Sequence, residues 1–144
     1  MSTYSFLDVT ATLVGPGGVI SLGSGAGVSE EGISVEPTGE MGTMMIGADG
    51  SGQHSLSGDK SGRVVVRVLK TSPVNAQLNA MSQFQRSSAE SYGQNTLVIT
   101  DTSRGDVITC RQVAFAKVPA LTFAREAGMN EWEFNAVIID PALG

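Results

Sequence analysis

A mainly antiparallel β fold carrying one packed α-helix, in the form of a small barrel or sandwich, is what the sequence predicts, and three observations point to it. Gly62 to Lys70 and Glu131 to Ile139 alternate residue types with the period of a half-buried strand. Clusters of Gly, Pro, Asp and Ser separate further runs of strand formers. At Thr71-Ser72-Pro73 the apolar period changes to that of a helix. The 144 residues fit one domain, 1–144, long enough to bury a core without disulfides or a metal.

Residues 5–14 open the chain as a strand, with Leu7, Val9, Ala11 and Leu13 on one face and Phe6, Asp8, Thr10, Thr12 and Val14 on the other. Gly15-Pro16-Gly17-Gly18 makes a turn, and Val19 to Leu22 returns antiparallel beside the first strand. In the strand from Gly62, one face carries Val64, Val66 and Val68. The other mixes Arg63, Val65, Arg67 and Leu69 and meets a helix, another subunit or partial solvent.

Ser72 caps a helix whose first position suits Pro73. Val74, Leu78, Met81 and Phe84 form its apolar side, and it runs to about residue 89, where Ser87, Ser88, Ser91 and Gly93 end it. Strands follow at Thr96–Thr100 and Val107–Val118. The second carries Arg111, Phe115 and Lys117 on one parity and Ile108, Cys110, Ala114, Ala116 and Val118 on the other. Pro119 redirects the chain, Leu121–Glu126 is a short strand or a bend, and Trp132, Phe134, Ala136 and Ile138 share one face of the closing strand.

Between Gly15 and Gly62 lie 14 of the 18 glycines. Ordering glycine costs the most backbone entropy and returns no side-chain contact, so this stretch needs something else to hold it: it is a mobile loop or a long hairpin fixed by neighbouring subunits. Met41, Met44, Met45 and Ile46 offer deformable apolar contacts to a core or to an interface. Glu30 and Glu31 face solvent or match a neighbour's basic group.

Charge is sparse and unevenly placed. Lys, Arg, Asp and Glu make up 16% of the chain, below the roughly 25% of an average domain, which leaves surface for protein contacts. Residues 1–59 hold seven acidic groups and no basic one, whereas residues 60–144 hold nine basic and seven acidic. Repeated copies can pair these halves and use the charges for register. No compact basic patch with interleaved aromatics points to sequence-specific nucleic-acid binding.

Catalytic and ligand motifs do not assemble. Gly23-Ser24-Gly25-Ala26-Gly27 lacks the lysine and hydroxyl residue of a phosphate loop, and Glu30 and Glu31 follow it. The Asp49 and Asp59 turns lack calcium-loop spacing. His54, the sole histidine, lies in a polar segment and reads as solvated, while Cys110, the sole cysteine, reads as buried. Arg104-Gly105-Asp106 matches a short adhesion tripeptide within a turn. No catalytic residue, cofactor, metal or membrane insertion is expected, and no apolar run is long enough to cross a bilayer.

In their combined order, the strand from Tyr4 to Val14, the Gly15-Pro16-Gly17-Gly18 turn, the glycine-rich region, the capped helix and Gly128-Met129-Asn130-Glu131-Trp132-Glu133-Phe134-Asn135 resemble the inner tube proteins of contractile phage tails. The resemblance implies a structural, non-enzymatic subunit in stacked hexameric rings. These would form in the host cytoplasm, reside in the virion tail and guide DNA during ejection. Its partners would be copies of itself, the sheath, a baseplate or initiator, the tape-measure and tail-terminator proteins, with DNA passing nonspecifically.

Carried onto this chain, the resemblance places an intersubunit hairpin within 23–62 and the helix outside the channel wall. Glu131 and Glu133 become the lumen-facing acids, and Glu30, Glu31, Met41, Met44, Arg63 and Arg67 the assembly contacts. A tube of a phage-tail-like or secretion particle fits the same cues. A small β-barrel binding module, using a face around Phe115 or the glycine-rich loops, is the alternative from another class.

Overall fold

A computed structural model describes residues 3–23 and 28–144, the side chains of 28–31 excepted. The elements are β1 (Val9–Gly15), β2 (Gly18–Ser21), β3 (Val28–Pro37), β4 (Gly42–Ile46), β5 (Gly52–Leu56), β6 (Gly62–Leu69), α1 (Val74–Arg86), β7 (Asn95–Asp101), β8 (Asp106–Lys117) and β9 (Met129–Ala142). One seven-stranded sheet runs in the order β2-β1-β7-β8-β9-β6-β3, and every pairing within it is antiparallel. β4 and β5 form a separate hairpin. The fold is therefore mainly antiparallel β with one helix, as the alternation predicts, but the sheet is open and ends on β2 and β3.

Period-two patterning decides which face is buried. Val64, Val66 and Val68 on β6, Trp132, Phe134 and Ala136 on β9, and Ala11 and Leu13 on β1 meet Leu78 and Met81 of α1 in one core. Fully burying each large side chain among them contributes roughly 1.5–3 kcal/mol before conformational entropy is counted. Phe115 sits in this core edge-on to Trp132, with ring centroids 6.1 Å apart, and 4.9 Å from Phe134.

Side-chain amides join the helix to the sheet. Asn75 Oδ1 accepts from Trp132 Nε1 and from Asn130 Nδ2, each at 3.1 Å, while its Nδ2 donates to the carbonyls of Leu69, Lys70 and Ser72. One side chain thus fixes the β6–α1 turn against β9. At the other end Gln85 and Asn95, both fully buried, bond to each other, and Gln85 Nε2 also donates to the Pro16 carbonyl at 2.9 Å. The helix begins at Val74 with Pro73, not Ser72, in the cap position, and Ser72 Oγ accepts from the Val74 amide at 3.3 Å just ahead of it.

Several sequence expectations need correction. The opening strand starts at Val9, because Phe6–Asp8 turn as a 3-10 segment with Ser5 Oγ accepting from the Leu7 amide; Leu7 is left exposed. The helix ends at Arg86, and Phe84 lies more than half in solvent, while Ser82 and Gln85 face inward. A reading by apolar residues alone misses a polar residue whose bonds are met inside.

The β8 alternation also breaks. Leu97 faces Cys110 but Asn95 faces Val113, so β8 bulges against β7 around Gln112, whose φ is 52°. Beyond the bulge the inward residues are Val113 and Phe115, not Ala114 and Ala116. Leu121–Glu126 forms a bend and no strand. The closing strand runs on to Ala142, and Ile139 packs against the core.

Candidate assembly surfaces

The outward face of the β3, β6, β9 and β8 run is a charge lattice. Arg67 lies opposite Glu131, its Nε 3.3 Å from Glu131 Oε1, and its Nη1 donates to Ser34 Oγ at 2.9 Å. Glu133 receives two cations, Arg63 and Lys117, each at 3.7 Å and from opposite sides. Asp140 does the same with Lys60 at 3.7 Å and Arg111 at 4.0 Å. Exposed pairs of this kind contribute about 0–1 kcal/mol each, so the lattice does more for strand register than for stability.

Depth varies across this lattice: the Glu131 side chain is 49% exposed against 20% for Arg67, whereas Glu133 sits low. The Glu133 side chain is 18% exposed against 68% for Lys117, so its negative charge lies beneath the cation tips. The sequence separates Glu131 and Glu133 from Arg63 and Arg67 into different roles. Strand pairing brings all of them onto one face, because β6 and β9 are neighbours and these residues share the outward parity. Lys117 is a member of the lattice that sequence reasoning missed; its long-range partner is visible only once β8 is set beside β9.

The second surface is the β4–β5 hairpin. Met44 faces His54 and Leu56 faces Gly42 across it, and a turn over Gly47–Ser51 closes it, with the Gly47 amide donating to the Ser51 carbonyl at 2.7 Å. Gly50 at the turn has φ +89°, a conformation open to glycine. Met41, Met44, Met45, Ile46 and Leu56 are all exposed, and His54 is exposed beside them. The methionines are thus not core residues. His54 stands in solvent as its polar setting suggests.

The third feature is backbone left without a strand partner. Among the described residues β3 pairs with β6 alone, and between Val28 opposite Val68 and Ile33 opposite Val66 it bulges, placing residues 29–32 opposite Arg67. Glu30 and Glu31 fall in that bulge; their side chains lie outside the described residues, as does the Ser24–Gly27 part of the phosphate-loop comparison. On β8, pairing with β7 stops at Val113, whereas pairing with β9 continues to Lys117.

Among the described residues no group of three His, Cys, Asp or Glu side chains is placed to hold a metal, and no helix is long and apolar enough to cross a membrane. Arg104 and Asp106 of the adhesion-like tripeptide face each other at 3.9 Å, and Asp106 also accepts the Gly144 amide. Cys110 is fully buried; burial pushes its thiol up to about 11, with the nearby negative charge of Asp140 adding to the effect.

Solved structures of contractile injection systems share this fold at low sequence identity. A chain of the extended-state sheath–tube complex of an extracellular contractile injection system, PVC, matches at a TM-score of 0.56 and 11% identity, covering 99% of this chain and 93% of that one. The PVC sheath/tube terminator matches at 0.58 and 10%, covering 99% and 98%. The tube-terminating cap of the anti-feeding prophage matches at 0.56 and 8%, covering 100% and 95%. No curated protein sequence matches. The family model described as bacteriophage PhiTE tail tube protein matches residues 1–144. The chain belongs to that tail tube family.

Proposed function

We propose that this chain is a structural subunit of a contractile-tail inner tube that assembles with itself into stacked hexameric rings and guides DNA during ejection. The observation that carries the proposal is the β4–β5 hairpin, whose apolar side chains are all exposed. An isolated hairpin of this kind is marginal in water, and so much exposed methionine, isoleucine and leucine is what a protein contact uses. Met41 and Met44 then bind a neighbouring ring. Glu30 and Glu31, on the bulged edge strand, join them as contacts between copies.

In this reading the lattice face lines the lumen and carries Glu131 and Glu133. Arg63 and Arg67 help assembly by holding β6 and β9 in register and presenting a regular wall. Phosphate is kept from sticking by balance: each lattice carboxylate offsets basic neighbours that would otherwise bind a polyanion. The tube forms in the host cytoplasm around the tape-measure protein, starts on a baseplate or initiator, receives a terminator and is enclosed by sheath. The subunit performs no catalysis.

The test is assembly with tail partners supplied. Light scattering and negative-stain microscopy should show monomers converting to rings and then tubes when initiator is added. A chain that stays monomeric at every concentration, with initiator present, would leave a small β binding module as the better reading. Replacing both Glu131 and Glu133 with lysine should leave tubes intact yet slow ejection, and unchanged passage kinetics would remove the lumen assignment.

A further inference from the structure

We infer that the last turns of α1, the loop after it and the end of β8 build a binding pocket for a carboxylate carried on a short aliphatic stem. The pocket is a cavity of about 430 Å³, toward the small end of the range that ligand sites occupy. Ser82 and Arg86 reach it from one face of the helix, four residues apart. Tyr92 lines it from the loop, and Phe115, Lys117 and Val118 line it from the end of β8 and just past it.

Two donors there are unpaired. A serine inside a helix commonly returns its proton to the carbonyl one turn back. Ser82 is only 3% exposed and makes no hydrogen bond with any described residue, an unfavourable burial that a ligand oxygen would relieve. Arg86 likewise makes no ion pair or hydrogen bond among the described residues, whereas Arg63, Arg67, Arg104 and Arg111 each face a carboxylate. Arg86 also complements the negative end of α1, but that dipole amounts to about half a charge along the axis, against the full charge of the guanidinium beside the pocket.

The lining chooses among anions. No acidic side chain lines the cavity to compete for Arg86. Lys117 is already shared, its Nζ 3.7 Å from Glu133, and adds positive field more than a free contact. A guanidinium fork pairs two oxygens in one plane, which is the geometry of a carboxylate, and Ser82 supplies a further donor. Phosphate would bring another charged oxygen against apolar Phe115 and Val118, where a stem of methylenes fits. The wall is formed in advance. Tyr92 Oη donates to the Phe115 carbonyl at 2.7 Å, and the loop before it is tied by the Ser91 amide to the Ser88 carbonyl and the Glu90 amide to Ser88 Oγ, both at 3.2 Å. A preformed wall reduces the ordering that binding must offset.

NMR titration of the isolated full chain with glutarate tests the pocket, and its outcome is separate from that of ring assembly. Saturable shifts at Ser82, Tyr92 and the Arg86 Nε are expected, with a midpoint on the order of 1–10 mM, and neutral glutaramide should give none. Arg86→Gln should weaken binding at least about tenfold and Ser82→Ala about three- to tenfold. Ser82→Ala should not lower the urea midpoint, since that hydroxyl has no bond to lose. No saturable response, an equal response to glutaramide, or binding that Arg86→Gln leaves unchanged would overturn the inference. Inorganic phosphate binding as tightly would also overturn it, as a general anion site. In assembled tubes, loss of labelled-glutarate uptake with slowed assembly of Arg86→Gln would assign the carboxylate to an acidic side chain of a neighbouring protein, and retained uptake would assign it to a free carboxylate. Lost uptake with normal Arg86→Gln assembly would mean that the pocket is merely covered, against the inference.

Discussion

The side-chain amides of Gln85 and Asn95 hold each other through two hydrogen bonds, Gln85 Nε2 to Asn95 Oδ1 at 2.7 Å and Asn95 Nδ2 to Gln85 Oε1 at 2.8 Å, in full burial. The pair ties α1 to β7, and the further bond to the Pro16 carbonyl brings in the β1–β2 turn. Gln85→Ala strands the Asn95 amide and the Pro16 carbonyl together. Urea denaturation should show a loss of roughly 2–4 kcal/mol. Gln85→Met combined with Asn95→Leu should recover part of it, giving a coupling energy well above additivity; simple additivity would contradict the account.

Gly15 is locked in place by the same pair. A Cβ built there would stand 1.9 Å from Asn95 Oδ1, so Gly15→Ala must push the buried amide out of its bonds. The expected cost is at least about 2–3 kcal/mol, read from the same denaturation midpoint. Gly50→Ala, at the exposed hairpin turn, has space for its methyl and costs only the φ strain there.

Much of this architecture was legible in the sequence because it is local. Val64, Val66 and Val68, the Gly15–Gly18 turn and the Ser72-Pro73 helix start each follow from neighbours within a few residues. What escaped was set by distant partners. Gln85 is polar by type and core by position, since Asn95 meets its bonds. The β8 parity turned on Gln112, whose left-handed φ no alternation rule predicts. In the assembly surfaces, the exposure of Met41 and Met44 left two readings open until the hairpin was seen apart from the core. The shared face of Glu131, Glu133, Arg63 and Arg67 depended on knowing that β6 and β9 are neighbours.

Acid should loosen the hairpin at its tip and at its base. Asp59 accepts from the Ser61 hydroxyl and amide, and Asp49 from the Ser51 amide and hydroxyl, and these bonds hold both carboxyls below the ordinary 3.8. A carboxyl depressed in the folded chain stabilises it above its unfolded pKa, and that contribution is lost as pH falls through the folded value. NMR titration should place both transitions below 3.8, with faster Ser51 and Ser61 amide exchange in acid. Transitions at or above the ordinary value would contradict these turns.

The Cys110 thiol should resist modification. With its pKa near 11 and no exposure, it forms little thiolate at neutral pH. Reaction with a maleimide or aromatic disulfide is expected to follow global unfolding, with the native rate reduced by at least about a hundredfold relative to denatured chain, in proportion to the open population. Rapid labelling of native protein would mean that the β7–β8–β9 core opens locally.

Hairpin and body should separate in their effects. Exchanging Gly42–Leu56 for a short Gly-Ser turn removes no core residue, so monomer stability should change by less than about 1 kcal/mol. Ring formation should persist while stacking into long tubes fails, as counted by negative-stain microscopy. Long tubes of normal yield would show that the exposed methionines do not join rings.

The most direct measurement is an electron-microscopic reconstruction of native particles at a resolution that traces strands. It should place this chain in the central conduit, with the Arg63, Arg67, Glu131 and Glu133 face toward the lumen and β4–β5 crossing to the next ring. Particles whose conduit lacks this chain, or that turn the lattice face outward, would contradict it.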